Sequence, residues 1–414
     1  MSPGLRQMTG SLRVRNYRLF ASGQVVSLTG TWMQTVAQDW LVLDLSGNSA
    51  FALSLVVALQ FAPVLMFSLY GGLLADRFDK RRLLLAVQTV MAVLALVLGV
   101  LVMSGAVRLW HVYALAFLLG VTNALDTPVR QAFVSELVGH ELLPNAVALN
   151  SATFNSARIV GPAVAGLVIA WVGVGPAFLL NAASYLAVLV GLARMDPAAL
   201  LRGDRVVRAR GQVREGLRYV AGRPDLLMAI VLMGVVGTIG MNFHLTLPLL
   251  ARTEFGVGPE AFGLLWTAFA VGALSGALVG TRRRHRPPAT ALLGFAAAFG
   301  ALEVAVAFAP TFVVAAIILV PTGAFLIGHN NAANARVQLG ADPLLRGRVM
   351  SLYILVFLGG TTVGSLLTGA ISEAFGVRAA LVFGGTTVLL AATVLASVRA
   401  WRHAHRPAAE LVGR

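Results

Sequence analysis

Gly71-Gly72-Leu73-Leu74-Ala75-Asp76-Arg77-Phe78-Asp79-Lys80-Arg81-Arg82 separates two apolar runs, each long enough to cross a bilayer. The paired glycines let helix ends approach closely, and the charges that follow mark a short turn that hydrocarbon excludes. A turn so rich in bases belongs on the cytoplasmic side, so this stretch sets both a membrane address and an orientation.

Composition agrees with that reading. Hydrophobic residues make up 58% of the 414 and charged residues only 12%, with a mean hydropathy of +0.81. A soluble chain carries roughly 25% charged residues, so too few are present here to cover a water-facing surface. Apolar segments of about 20 residues cross a hydrocarbon core of about 30 Å as helices. The chain divides into twelve such segments, at about 19–43, 50–75, 82–104, 109–135, 145–172, 176–195, 226–251, 260–281, 289–309, 311–336, 346–373 and 376–401. The long polar, Arg-rich stretch between the sixth and seventh defines the expected domains: a six-helix bundle over 1–195, a cytoplasmic linker over 196–225, a second bundle over 226–401 and a cytoplasmic tail over 402–414. In the linker Val213, Leu217, Val220 and Ala221 share one side of a short amphipathic helix, with Arg214 and Arg218 free to meet headgroups.

With the N-terminus inside, only Arg108, Arg252 and Arg378 fall outside, and Arg158 falls within a span; every other Lys and Arg lies on the cytoplasmic side or its helix ends. The positive-inside rule therefore places both termini in the cytoplasm. The net charge of +15 does not point to nucleic acid, because the bases are scattered among turns where anionic lipid headgroups are the expected partner. Met1 to Arg18 has bases but no apolar core with a cleavage site, so no removable signal peptide is expected. The chain has no cysteine, which excludes disulfides, thiolate metal sites and thiol catalysis. Gly-rich runs lack the Lys-Ser/Thr ending of a phosphate loop, and no metal-ligand spacing of His appears. The expectation is therefore no enzyme, no cofactor and no metal, with energy drawn from gradients.

Gly72-x-Leu74-Ala75-Asp76-Arg77-x-x-Lys80-Arg81 resembles the signature loop between the second and third helices of the major facilitator superfamily. The resemblance covers nearly the whole chain and is to the branch of bacterial efflux permeases that includes drug and siderophore exporters. Leu143-Pro144-Asn145-Ala146-Val147-Ala148-Leu149-Asn150-Ser151, then Ala157-Arg158-Ile159-Val160-Gly161-Pro162 and Gly166, is similar to that branch's fifth-helix region. Two departures stand out: Asp79 occupies a usual glycine position, and the double glycine expected after Gly161-Pro162 is missing. The resemblance implies an all-α membrane protein of 12 transmembrane helices, two pseudo-symmetric six-helix bundles around a midplane cavity that opens to alternate sides. It also implies a bacterial plasma-membrane location and an outward direction of transport. A weak echo of the first loop follows the eighth span, where Gly276-x-x-x-Gly280 leads into Arg282-Arg283-Arg284 without an acid.

In this frame Gly72, Asp76, Arg77, Lys80 and Arg81 form a cytoplasmic gate motif. Asp76 sits near the expected start of the eleventh helix around Arg346, where a helix N-terminus favours a carboxylate. The resemblance adds that a base of the loop, here Lys80, bridges to an acid at the end of the fourth helix, and Asp126 is placed to be that acid.

Few ionisable residues enter the spans, and each costs about 2.5–3.5 kcal/mol on insertion scales. Asp39, in the outer third of the first span, and Glu303, past the middle of the ninth, are the candidate proton carriers. A carboxyl group shielded from water favours its neutral form and can exchange a proton as its exposure changes. The plainer alternatives are a hydrated helix-end acid and a paired structural acid. Arg158 needs a partner, either a structural acid or an anionic group of a substrate.

Polar stripes mark the expected cavity. Gln24, Ser27, Thr31, Gln34 and Gln38 recur at three- or four-residue steps on one face of the first span, and Thr238, Asn242 and Thr246 do so in the seventh. Asn123 and Thr127 in the fourth, and His329, Asn330, Asn331 and Asn334 in the tenth, complete the four helices that line the cavity in this superfamily. Thr31, Gln34, Gln38, Asn123, Arg158, Thr238 and Asn242 are the candidate substrate contacts; interhelical hydrogen bonding is the plainer reading of each. Gly272, Gly276 and Gly280 in the eighth span and Gly360 and Gly364 in the eleventh are small-residue packing faces.

The function expected is a monomeric, proton-coupled exporter of amphipathic small molecules, with membrane lipid and protons as its other partners. A specific metabolite or siderophore exporter, or an uncoupled facilitator, is the alternative within transport. A transport-inactive receptor or scaffold is the alternative of another class.

Overall fold

The computed structural model describes residues 10–201, 212–281, 286–342 and 345–405. Twelve long helices run through them: α1 Arg15–Ser46, α2 Ala50–Arg77, α3 Lys80–Met103, α4 Leu109–Gly139, α5 Glu141–Val172, α6 Val174–Ala193, α7 Pro224–Glu254, α8 Pro259–Thr281, α9 Ala289–Ala307, α10 Phe312–Gly340, α11 Arg346–Phe375 and α12 Val377–Ala404. A short linker helix, Gln212–Ala221, precedes α7. Eleven of the twelve are long and apolar enough to cross a membrane by composition alone. The exception is α1, whose stripe of Gln, Ser and Thr lowers its mean hydropathy although at 32 residues it is among the longest. Among the described residues the fold is all-α.

Local chemistry explains where helices begin and end. The Asp79 carboxylate accepts from the backbone N–H of Arg82 at 2.9 Å and so caps α3. The residue that departs from the usual glycine thus supplies an N-cap to the helix that follows the turn. Gly139 (φ 70°) breaks α4 from α5, and Gly173 (φ 87°) and Gly376 (φ 86°) reverse the chain at the α5–α6 and α11–α12 junctions. All three adopt a conformation that side chains with a Cβ rarely reach.

Contacts group the chain into two compact units. The first holds residues up to Arg208 together with Phe243–Ala270; the second holds Ala209–Asn242 and Val271–Arg414. In the first unit α1 packs on α5 and α6, and α2 on α4. Its core near the α3 start gathers Tyr17, Phe20, Leu84, Phe133 and Leu192, with Phe20 edge-on to Phe133 at 5.8 Å. In the second, α9 packs on α10 and α12, and the linker helix packs on α11. Outer faces stay apolar: Val90, Val93, Leu96, Val97 and Val100 are exposed along α3, as are Leu390, Val394 and Val398 along α12. Lipid is the solvent that accepts such faces at no cost.

Helix α7 is not continuous. It widens into π turns at Val236–Gly240 and Leu250–Glu254, and its ladder breaks at Met241–Asn242, where the chain passes from the second unit to the first. The Asn242 amide donates to the carbonyls of Thr238 (2.8 Å) and Ile239 (3.1 Å), satisfying acceptors that the break sets free.

Candidate functional site

An open cavity of about 680 Å³ lies in the first unit, walled by α1, α4 and α5. Its polar lining includes Gln24, Arg130, Ser135, Asn150 and Asn155, and its apolar lining includes Phe20, Leu28, Val147 and Phe154. Such a mixed wall suits an amphipathic occupant. Phe154 meets Trp32 edge-on at 5.7 Å, and Trp32 in turn stacks on His244 at 6.3 Å and lies 6.3 Å from Trp266. Phe243–Ala270 thus brings rings from α7 and α8 to the face of α1. Close backbone approach makes this possible: a Cβ on Gly161 would strike Trp32 and the Thr29 carbonyl, and one on Gly263 or Gly166 would strike the opposite helix of the α5–α8 pair.

Arg158 stands in that aromatic nook. Its guanidinium carbon is 5.6 Å from the Trp32 ring centre and 5.3 Å from that of Phe269. Its Nε is buried without a hydrogen-bond partner, and no ion pair forms on it among the described residues. The expectation of a structural acid beside Arg158 is therefore not met; rings take that place. Neither Trp32, His244, Trp266 nor Phe269 was singled out from sequence, because Trp32 lies more than 200 residues from the other three. The three-residue spacing of Trp266 and Phe269 on α8 was the available signal.

The second cation of the first unit is differently held. Arg130 lines the cavity, donates to the Gln24 side chain at 3.2 Å and pairs with Asp126 at 3.2 Å. Asp126 is buried and also accepts from Gln88 at 2.8 Å. It does not meet Lys80. Lys80 instead binds Glu136, Nζ to Oε1 at 2.6 Å. The expected Lys80–Asp126 bridge is corrected by the length of α4, which runs to Gly139; its end acid is Glu136, and Asp126 lies about 15 Å further in at 1.5 Å per residue. Arg81 donates to the carbonyls of Leu192 (2.7 Å) and Ala193 (3.0 Å), tying the turn to the end of α6. Arg77 is exposed. The side chains of Gly72 and Asp76 lie outside the described residues, as do Arg282, Arg283 and Arg284 and the side chains of Val213 and Arg214.

At the other end of the unit, Arg252 pairs with Asp44 at 2.5 Å and sits 4.9 Å over the Trp40 ring, which stacks on Phe262 at 6.1 Å. This ion pair was not read from sequence.

The stripe on α1 divides. Gln24 reaches the cavity, while Gln34 is buried and accepts from Asn181 of α6 at 2.5 Å. Thr31 donates to the Ser27 carbonyl and lies 3.4 Å from the Tyr185 hydroxyl. Gln38 is buried and Asn123 half-buried. Thr238 packs against α11, where a Cβ on Gly360 or Gly364 would collide with it. In the second unit Asn330, Asn331, Asn334 and Gln338 line a cavity of about 450 Å³ with Tyr353 and Phe357. His329 is buried with Nδ1 3.4 Å from the Leu292 carbonyl, a contact between α10 and α9.

Both candidate acids are buried, at 3% exposure each, so neither is a hydrated helix-end group. Asp39 Oδ2 and Glu303 Oε2 have no hydrogen-bond partner, and no cation pairs with either among the described residues. Glu303 lies against the backbone of Gly240 and Gly384. No cluster of His, Asp or Glu able to hold a metal occurs among the described residues.

The family model for "Transmembrane secretion effector" matches residues 9–410. The chain is 26% identical to the staphyloferrin A transporter of Staphylococcus aureus, over 90% of this chain and 94% of that one. It is 24% identical to macrolide efflux protein A of Streptococcus pyogenes, over 92% and 95%. Among solved structures, a bacterial homologue of the human lysosomal transporter Spinster matches with a TM-score of 0.69 at 15% identity, over 93% of this chain and 95% of that one, a likeness of fold.

Proposed function

The chain belongs to the transmembrane secretion effector family, an efflux branch of the major facilitator superfamily, and from that premise we propose that it exports amphipathic small molecules across the bacterial plasma membrane in exchange for protons. The observation that carries the reading is the two buried carboxyl groups, Asp39 and Glu303, which have no cation partner among the described residues and one oxygen unpartnered each. A buried, incompletely bonded carboxylate is costly, and taking up a proton removes the charge. Loading at one face and release at the other is the minimum chemistry of proton exchange. The amphipathic cavity of the first unit receives the solute, and alternating access moves it. In this scheme the Asp44–Arg252 pair and the Lys80–Glu136 pair act at opposite ends of the first unit.

The test uses inverted vesicles containing a pH-sensitive dye. Candidate compounds are added to the parent, Asp39→Asn and Glu303→Gln. Solute-driven proton movement lost in either variant supports the assignment; movement that survives both substitutions sinks it. No movement with any compound favours a facilitator or a scaffold. A second reading, an exporter of anionic metabolites, gains from the acid-free cation in the aromatic nook, Arg158.

A further inference from the structure

We propose that Arg158 and the rings of Trp32 and Phe269 form an anion subsite, which takes a carboxylate or similarly compact anionic group of the exported molecule while its apolar body rests on the aromatic faces. The proposal rests on the export reading above and narrows its substrate class. A guanidinium offers five N–H donors in its plane and attracts π-clouds above and below it. At Arg158 two rings lie within cation–π reach, yet the buried Nε donates to nothing. Aromatic faces do not accept in-plane hydrogen bonds as an anion does, so part of this side chain's bonding capacity is left open.

The same unit holds the complete version of the arrangement. Arg252 lies over Trp40 and is ion-paired with the Asp44 carboxylate. Arg158 has the ring and lacks the acid. A carboxylate matches a guanidinium with two parallel charge-assisted hydrogen bonds, and these are strongest where water is excluded.

Access is also built in. Phe154 lines the open cavity, touches Trp32 and stands four residues before Arg158, so the two share one face of α5. Arg158 itself does not line that cavity, so a molecule held there would have to pass these two rings to meet the guanidinium. Arg130 does not compete for the role, since Asp126 already occupies it. A cationic head would meet Arg158 without a neutralising acid, so the subsite discriminates by charge.

The test measures equilibrium dialysis of three probes on one ring system, 2-naphthoate, 2-naphthalenemethanol and 2-naphthylmethylamine, against the purified full chain. The acid is expected to bind about tenfold more tightly than the alcohol, and the amine more weakly than either. Arg158→Gln is expected to bring the acid down to the alcohol's affinity while changing the alcohol less than about twofold, and Trp32→Leu to weaken both. A preference for the acid that survives Arg158→Gln, or a parent that binds acid and alcohol equally, overturns the proposal. Should Arg158→Gln bind neither probe, Arg158→Lys decides: a retained preference for the acid supports the subsite, and a lost one counts against it. Because dialysis needs no gradient, the subsite stands or falls separately from proton-driven export, which the vesicle assay addresses.

Discussion

Arg130 and Arg158 enter the interior of the same unit and are held by opposite means. Arg130 has a carboxylate at 3.2 Å and an amide oxygen at 3.2 Å; Arg158 has two aromatic faces and an unpartnered Nε. One charge is closed within the protein, and the other is open. Removing a partner from the first leaves a stranded ion, whereas removing the second strands nothing. The two arginines should therefore respond to substitution with different size and sign.

The largest effect is expected for Asp126→Asn, which leaves Arg130 and Gln88 without their acid and should cost roughly 2–4 kcal/mol, discounted from a fully buried pair because Arg130 is partly exposed. Arg158→Gln should change stability by less than about 1 kcal/mol or raise it, since an uncompensated charge is lost. Denaturant melts of both variants in detergent check this, and equal losses would erase the contrast. Next in size is Gly161→Val, whose Cβ meets Trp32 and the Thr29 carbonyl; about 1–3 kcal/mol of overpacking is expected, with weaker 2-naphthoate binding as Trp32 is displaced. Gly294→Ala is the matched control, because a Cβ there meets nothing within 4 Å and gains helix propensity of up to about 1 kcal/mol. The smallest effect belongs to Asp44→Asn. Its carboxylate is 43% exposed, so breaking the Arg252 pair should cost under about 1 kcal/mol, and added salt should shrink the difference from the parent. A loss as large as that of Asp126→Asn would show that the Trp40–Arg252–Asp44 arrangement is as closed as the Arg130 site.

Much of the fold was legible because hydrocarbon imposes a length on every crossing. Helices from α2 to α12 announce themselves as apolar runs, and the charges at Asp76 to Arg82 locate a turn. Site geometry was less legible, for reasons visible in particular residues. Lys80 is matched to Asp126 only through the resemblance, while the acid at the end of α4 is Glu136, which takes the base. The α1 stripe shares one face by periodicity, yet a face does not say whether it meets water or a neighbour, and Asn181 claims Gln34 while Gln24 reaches the cavity. Asn242 fits a stripe by spacing, but the π turn before it frees carbonyls that its amide then holds. Backbone irregularity of this kind leaves no periodic trace. The nook around Arg158 needs four segments to converge, which no single stretch encodes.

The broken ladder of α7 has a mechanical corollary. A continuous helix resists bending because each turn would have to surrender hydrogen bonds. At Met241–Asn242 those bonds are already absent and a side-chain amide stands in for them. Helix α7 is thus pre-creased, so bending along its length would be taken up at two residues.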